Sequence, residues 1–507
     1  MIGKMKTGLS VLACLTCLAG DALAQDARTL RIGLIEDADT LDPAQGRSLG
    51  GRHVFAALCD KLFDIDDKAQ VKGMLVTSHE VSPDGLTITL TLRDGVKFHD
   101  GTPFDAEAVK FNIERAATLK ESARKGDVRA IDSVEAAGPL TARLHLKQPF
   151  TPLLAQLADR AGMMVSPTAA KAVDAAAFAA SPVCSGPFKL AERVVQDRIV
   201  LERFADYWDK DAVKVDKVIY LPVPDATVRL NNLLAGQLDL IEQVATADLD
   251  RVKADNRFTV STIDGLGFFY LLFNLANGEG AKTDFAANAK LRQALNAAID
   301  RTVVNQVVFG GNFTAGNQTV PPSSAYYDKA IPVPARDLDK AKALVASSGV
   351  ANPALEVTVN NSPTFLRVGQ VIQSMAAEAG IKLTIKPVEA STGNAAVNAG
   401  EFQAHLSFWS GRADPDGNTY NYLGCEGSSN AGKYCNKDVD ELIKNAAKEG
   451  DAGKRAELYA KAAAIWVPEA PLLVIYHSKP FFAARAEVEG FTPIPDGLMR
   501  VKNVSLR

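Results

Sequence analysis

RDGVKFHDGTPFDAEAVKFNIERA, residues 93–116, contains two Asp-Gly dipeptides followed by an amphipathic run. Asp94-Gly95 and Asp100-Gly101 are turn pairs, because Gly takes the left-handed backbone of tight turns and Asp bonds its own chain. Immediately upstream, LTITLTL (86–92) alternates apolar and polar residues as a strand does, and Asp84-Gly85 closes its other end. These signals predict a β-meander near residues 80–100. Beyond the second turn, Asp105 can cap a helix whose Val109, Ile113 and Ala116 fall on one face. Asp100 and Asp105 therefore belong to turn and cap, not to a site.

The same mixture extends along the chain. RTLRIGLI (28–35) reads as a strand, while DATVRLNNLLAGQLDLIEQV (225–244) and LRQALNAAIDRTVVNQVVFG (291–310) carry apolar residues at helical spacing. The latter closes on Gly310-Gly311, a helix stop. LEVTVNNS (355–362), LRVGQVIQSMAAEAGI (366–381) and KLTIKPV (382–388) read strand, helix, strand, which is a βαβ unit. KRAELYAKAAAIWVPEA (454–470) is a helix stopped by Pro468 and Pro471, and LLVIYHS (472–478) a buried strand. Residues 315–335, rich in Pro and Gly, read as a long ordered loop. No fixed-period repeat or low-complexity tract interrupts this pattern, so the expected class is α/β, in lobes that are in part discontinuous.

MIGKMKTGLSVLACLTCLAGDALAQ places Lys4 and Lys6 before an apolar stretch and ends it in Ala22-Leu23-Ala24. This is a Sec signal peptide over residues 1–24, cleaved before Gln25. Cys14 follows Val11-Leu12-Ala13 as in a lipoprotein box, but cutting there leaves too short an apolar region. Without residues 1–24 the chain has 54 basic and 59 acidic residues, a net charge of −5, which argues against a nucleic-acid partner. Four cysteines remain. Cys425 and Cys435 flank EGSSNAGKY, a loop able to fold back on itself, and are paired on that basis; Cys59 and Cys184 pair by elimination. Four free thiols or a zinc site are the alternatives, the latter lacking CxxC spacing or an interleaved His.

Catalytic signatures are missing: there is no GxSxG, HExxH, P-loop or SxxK, and His53, His79, His99, His145, His405 and His477 are scattered singly. The chain reads as a non-enzyme, with no metal ligands and no cofactor.

The opening segment, together with TLDPAQ (40–45), SPVCSGPFKL (181–190), ERFADYWDK (202–210), YLLFNLAN (270–277), LRQALNAAIDR (291–301) and residues 430–446, resembles family 5 of the bacterial extracytoplasmic solute-binding proteins. That family includes the dipeptide-, oligopeptide- and nickel-binding proteins of ABC importers. The resemblance implies an α/β fold, a two-lobed periplasmic clamp with a discontinuous first lobe and an extra subdomain. Residues 25–263 plus 475–507 would form lobe I, with the subdomain at about 60–180, and residues 264–474 lobe II. The hinge would use TIDGLGFF (262–269) and APLLVIYHS (470–478). It further implies a monomeric periplasmic receptor that captures a short peptide or peptide-like solute and delivers it to an inner-membrane ABC permease. A metal-chelate or haem receptor is the alternative within the family, and a periplasmic hydrolase or chaperone the alternative outside it.

The resemblance also directs attention to FWSGRADPDGN (408–418). In similar peptide binders an Asp three positions after the Trp pairs with the peptide's α-amino group. Here that position is Arg412, and the first Asp is Asp414. Arg prefers a carboxylate and repels an ammonium, so the solute is expected to be carboxylate-bearing, unless Arg412 pairs internally with Asp414 or Asp416. The candidate contacts are Trp409, Gly411, Arg412 and Asp414, with Arg367 near the ligand's acidic end and Phe269, in preference to Tyr270, facing the cleft. Arg47, Arg52 and His53 line the first lobe's side of the cleft or are surface charge.

Overall fold

The computed structural model describes residues 28–507. The signal-peptide reading falls on residues 1–24, outside the described residues. Two large sheets organise the chain. The first runs in the order Phe258–Thr262, Phe481–Arg485, Leu240–Ile241, Thr29–Leu34, Lys217–Pro222, Arg198–Arg203 and Phe188–Val194. Its centre is parallel, Thr29–Leu34 lying between Lys217–Pro222 and Leu240–Ile241. The second runs Thr314–Ala315, Leu472–His477, Phe268–Phe273, Ala404–Trp409, Ala354–Asn360 and Lys382–Val388.

Strand alternation sets the cores of the second sheet. Phe268–Phe273 is buried at every residue. Phe269, Leu271 and Phe273 face a core with Leu295, Val304, Val368 and Ile372, whereas Phe268, Tyr270 and Leu272 face one with Tyr422, Ile443 and Trp466. A strand covered on both faces must be apolar throughout, as this one is. The βαβ reading holds: Ala354–Asn360 and Lys382–Val388 pair in parallel on either side of helix Pro363–Glu378 in sequence.

A four-stranded antiparallel sheet, ordered Val76–Val81, Thr87–Leu92, Thr141–Leu146 and Ile131–Gly138, forms the extra subdomain with helix Ala106–Thr118. Asp105 caps that helix, accepting from the Ala108 N–H at 2.9 Å, and Val109, Ile113 and Ala116 are buried. The predicted meander stops after one hairpin. The two Asp-Gly turns lie so close together that residues 93–105 form turns that bury Phe98 and Phe104, and the third strand comes from Thr141–Leu146.

Three helical readings are shortened or extended. Residues 225–244 give helix Ala226–Leu234 and then strand Leu240–Ile241, because Gly236 turns the backbone at φ +74°. Residues 291–310 form two helices, Ala289–Ala298 and Arg301–Phe309, the second capped by Asp300 and ended by left-handed Gly310. Helix Ala452–Glu469 passes through Pro468 instead of stopping there. Both disulfides are formed, Cys59–Cys184 and Cys425–Cys435.

The chain passes between the large sheets twice, through residues 263–267 and 478–480. The two crossings are bonded to each other: Gly265 N–H donates to Ser478 O at 3.0 Å, and Ser478 N–H to Gly267 O at 3.1 Å. Two short connecting segments lying side by side at the ends of strands are the kind of place where a hinge can form.

Candidate functional site

Strand Ala404–Trp409 delivers Trp409 to the end of the second sheet, and the chain then turns into helix Asp416–Leu423. Gly411 makes the turn at φ +81°, and a Cβ there would lie 2.4 Å from the Leu266 carbonyl, so the turn is pressed onto the first crossing. Asn418 ties the loop shut: its Oδ1 accepts from Trp409 Nε1 at 2.9 Å and from the Arg412 N–H at 2.8 Å, while its Nδ2 donates to Arg412 O at 2.9 Å.

The loop's three charged residues have three separate partners. Asp414 receives both ends of the Arg455 guanidinium at 2.7 and 2.6 Å. Asp416 accepts from Arg129 at 2.9 Å and from Gln156 at 3.2 Å. Arg412 therefore pairs with neither acid of its own loop. Its Nε meets Asp159 of the first lobe's subdomain at 3.0 Å, and its guanidinium lies 4.4 Å from the Trp409 ring centre. Asp159 also receives Arg52 Nη2 at 3.1 Å, and Arg52 Nη1 donates to Ser410 Oγ of the same loop at 2.9 Å. The lobes thus touch across this loop, and the Thr151 N–H adds a bond to Ala447 O at 2.8 Å.

Burial and charge compete at each group. Burial alone pushes the Asp159 carboxyl up, but Arg52, Arg412, Arg160 and Arg124 together hold it well below the ordinary carboxylate value. For Arg412 burial dominates, lowering the guanidinium to about 10 despite Asp159. Asp416 is raised, because burial outweighs Arg129.

The other sequence candidates lie elsewhere. Phe269 packs among Tyr476, Phe365 and Phe408, with ring centres 4.4, 4.9 and 4.9 Å away. It pairs with Phe408 in the sheet, so it shares Phe408's face, whereas Trp409 shares that of Phe268. Arg367 is exposed on helix Pro363–Glu378, in a depression shared with Asp300, Arg336 and Glu378. Arg47 is exposed. Arg52 and His53 are buried instead of being surface charge. His53 Nδ1 accepts from the Met499 N–H at 3.1 Å, so Nε2 carries the proton toward Glu242 at 2.9 Å, a structural bond. Asp159, Asn418, Arg124, Arg129 and Arg160 went unnoticed in the sequence, for they form no motif and meet only through tertiary packing. Among the described residues no three His, Cys, Asp or Glu side chains are grouped to hold a metal ion, and no helix is long and apolar enough to cross a membrane.

Residues 70–430 match the family described as bacterial extracellular solute-binding proteins, family 5. The chain belongs to that family. Among curated family 5 relatives, the glutathione-binding protein GsiB of Shigella flexneri is 29% identical over 505 residues, covering 97% of each chain. The dipeptide-binding protein of Pseudoalteromonas sp. SM9913, solved with Met-Leu, superposes with a TM-score of 0.86 at 25% identity, covering 94% of this chain and 100% of that one. NikA of Staphylococcus aureus, solved with Ni(L-His)2, gives 0.83 at 22% identity, covering 95% and 100%, a likeness of fold. These relatives are solute-binding proteins rather than enzymes, and the family 5 fold is the two-lobed clamp described above.

Proposed function

We propose that this family 5 protein is the periplasmic receptor of an ABC importer. It holds a short peptide or peptide-like, carboxylate-bearing solute between lobe I, built on the first large sheet, and lobe II, built on the second and running to the crossing at 478–480 rather than ending at 474, presents the closed form to an inner-membrane permease and performs no chemistry. The observation that carries this reading is the placement of Arg412. It stands on the turn after Trp409, at the junction of the lobes, with its guanidinium directed to a carboxylate of the opposite lobe. A guanidinium at that point favours an acidic group over an ammonium. Trp409 and Gly411 form the second lobe's wall beside it, and Asp414 braces the turn through Arg455. The peptides named for the relatives, glutathione and Met-Leu, set the size of solute to test.

Melting curves of the mature chain with glutathione, Met-Leu and a nickel–histidine complex test the reading. A cognate peptide at a hundredfold its Kd adds about 2.7 kcal/mol and raises the melting temperature. A rise with the nickel complex alone, and none with either peptide, contradicts it.

A further inference from the structure

Four arginines converge behind the Arg412 turn. Arg52 and Arg412 both reach Asp159 Oδ2. Arg160, next in sequence, lies with its Nε 3.6 Å from Asp159 Oδ1 and donates Nη1 to Gly46 O at 2.8 Å. Arg124 donates to the same Gly46 oxygen at 3.3 Å and pairs with Asp127 at 3.0 Å. Arg52, Arg160 and Arg124 are 3%, 4% and 6% exposed. In each of the three the Nε–H is buried without a hydrogen bond among the described residues.

Such an arrangement is costly as it stands. Two carboxylates, Asp159 and Asp127, pair with these four guanidiniums, which leaves two positive charges in excess. A buried donor without an acceptor costs the desolvation it has suffered, and a buried charge without a counter-charge costs more. Burial and the neighbouring Arg124 both press the Arg160 guanidinium toward its neutral form, with Asp159 only partly offsetting them. Perturbed buried groups of this kind cluster at functional sites, and an anion placed among them would receive charge-assisted hydrogen bonds.

We propose that Arg52, Arg124 and Arg160, closed over by Arg412, form a nest for carboxylates of the solute, so that the receptor selects peptides or dicarboxylates bringing two negative charges. The inference rests on the reading of the inter-lobe site as a peptide site and adds the charge of its occupant. The two charges match the excess left by Asp159 and Asp127, and the three Nε–H groups that make no hydrogen bond among the described residues supply donors. The first lobe thus provides most of the recognition, and Arg412 seals it.

Glu-Glu and Gln-Gln have the same shape and differ by two side-chain charges, so calorimetric titration of both into the mature chain isolates the effect. Glu-Glu is expected to bind at least about 30-fold more tightly. Arg160→Gln and, as a second variant, Arg124→Gln should reduce that preference to about threefold or less, by weakening Glu-Glu far more than Gln-Gln, and leave the ligand-free melting temperature equal or higher, since like-charge repulsion is relieved. Equal affinity for the two dipeptides overturns the proposal, as does an equal loss for both in the variants with a lower ligand-free melting temperature. Binding of Met-Leu without any preference for Glu-Glu defeats the nest and leaves the peptide reading standing. If no dipeptide binds but glutarate raises the melting temperature of the wild type and not of Arg160→Gln, the nest stands and the peptide reading fails. No response to any of these probes overturns both.

Discussion

Asp159→Ala is expected to lower the stability of the ligand-free protein by about 3 to 5 kcal/mol, because it removes the carboxylate on which Arg52, Arg160 and Arg412 converge and leaves buried charge unmatched. The pH dependence follows from the same group. Its folded carboxyl lies well below the ordinary value of 3.8, held there against burial by Arg52, Arg412, Arg160 and Arg124. A depressed acid contributes stability that is complete above its unfolded pKa of about 3.9 and is lost as pH falls through the lower folded value. The wild type should therefore lose this contribution only below about pH 4, and Asp159→Ala should lack that part of the acid slope. Melting curves from pH 7 to pH 2 check both points. An unchanged melting temperature at pH 7 with parallel acid slopes contradicts the assignment. An acidic dipeptide should stabilise Asp159→Ala more than the wild type, since it supplies the missing anion.

Opening the Cys59–Cys184 bridge by a double Ser substitution should cost about 4 to 5 kcal/mol, since it frees a loop with a sequence separation of 125 in the unfolded chain. The bridge also fixes the site. Cys59 ends helix Leu49–Leu58, which carries Arg52 and His53, and the Gly186 N–H donates to Leu58 O at 3.0 Å beside it. Cys184 is completely buried, and its carbonyl accepts from the His99 N–H at 2.8 Å. The Cys425–Cys435 loop, with a separation of 10, should cost only about 2 to 3 kcal/mol when opened. Urea unfolding of the two double variants ranks them, and equal midpoints or the reverse order would refute the loop-length account.

What was legible in the sequence is local. Asp105 caps its helix because the capping bond spans three residues, and strand, helix, strand over 354–388 forms because each element declares its own period. The family segments fixed the two-lobed arrangement. The charges around the site were illegible for the opposite reason. Asp414 and Asp416 are the near neighbours of Arg412 in sequence, yet they are turned toward Arg455 and Arg129, and Asp159 arrives from the other lobe. Arg52 and His53 resemble surface residues until Asp159 and Glu242 are folded against them. Periodicity does not encode which distant acid meets which base. Both faces of the strand that carries Phe269 are covered, so alternation alone does not distinguish cleft from core there.

The central claim is that a small acidic peptide-like solute is held between the lobes at Arg412, and native mass spectrometry reads this directly. The mature wild type and Arg412→Ala, incubated side by side with a pool of di- and tripeptides, should differ: one peptide-sized adduct per wild-type chain, enriched in acidic members, and at least about thirtyfold weaker retention on the variant. Adducts of equal abundance on both proteins, or a bare wild-type chain beside a folded variant, would contradict it.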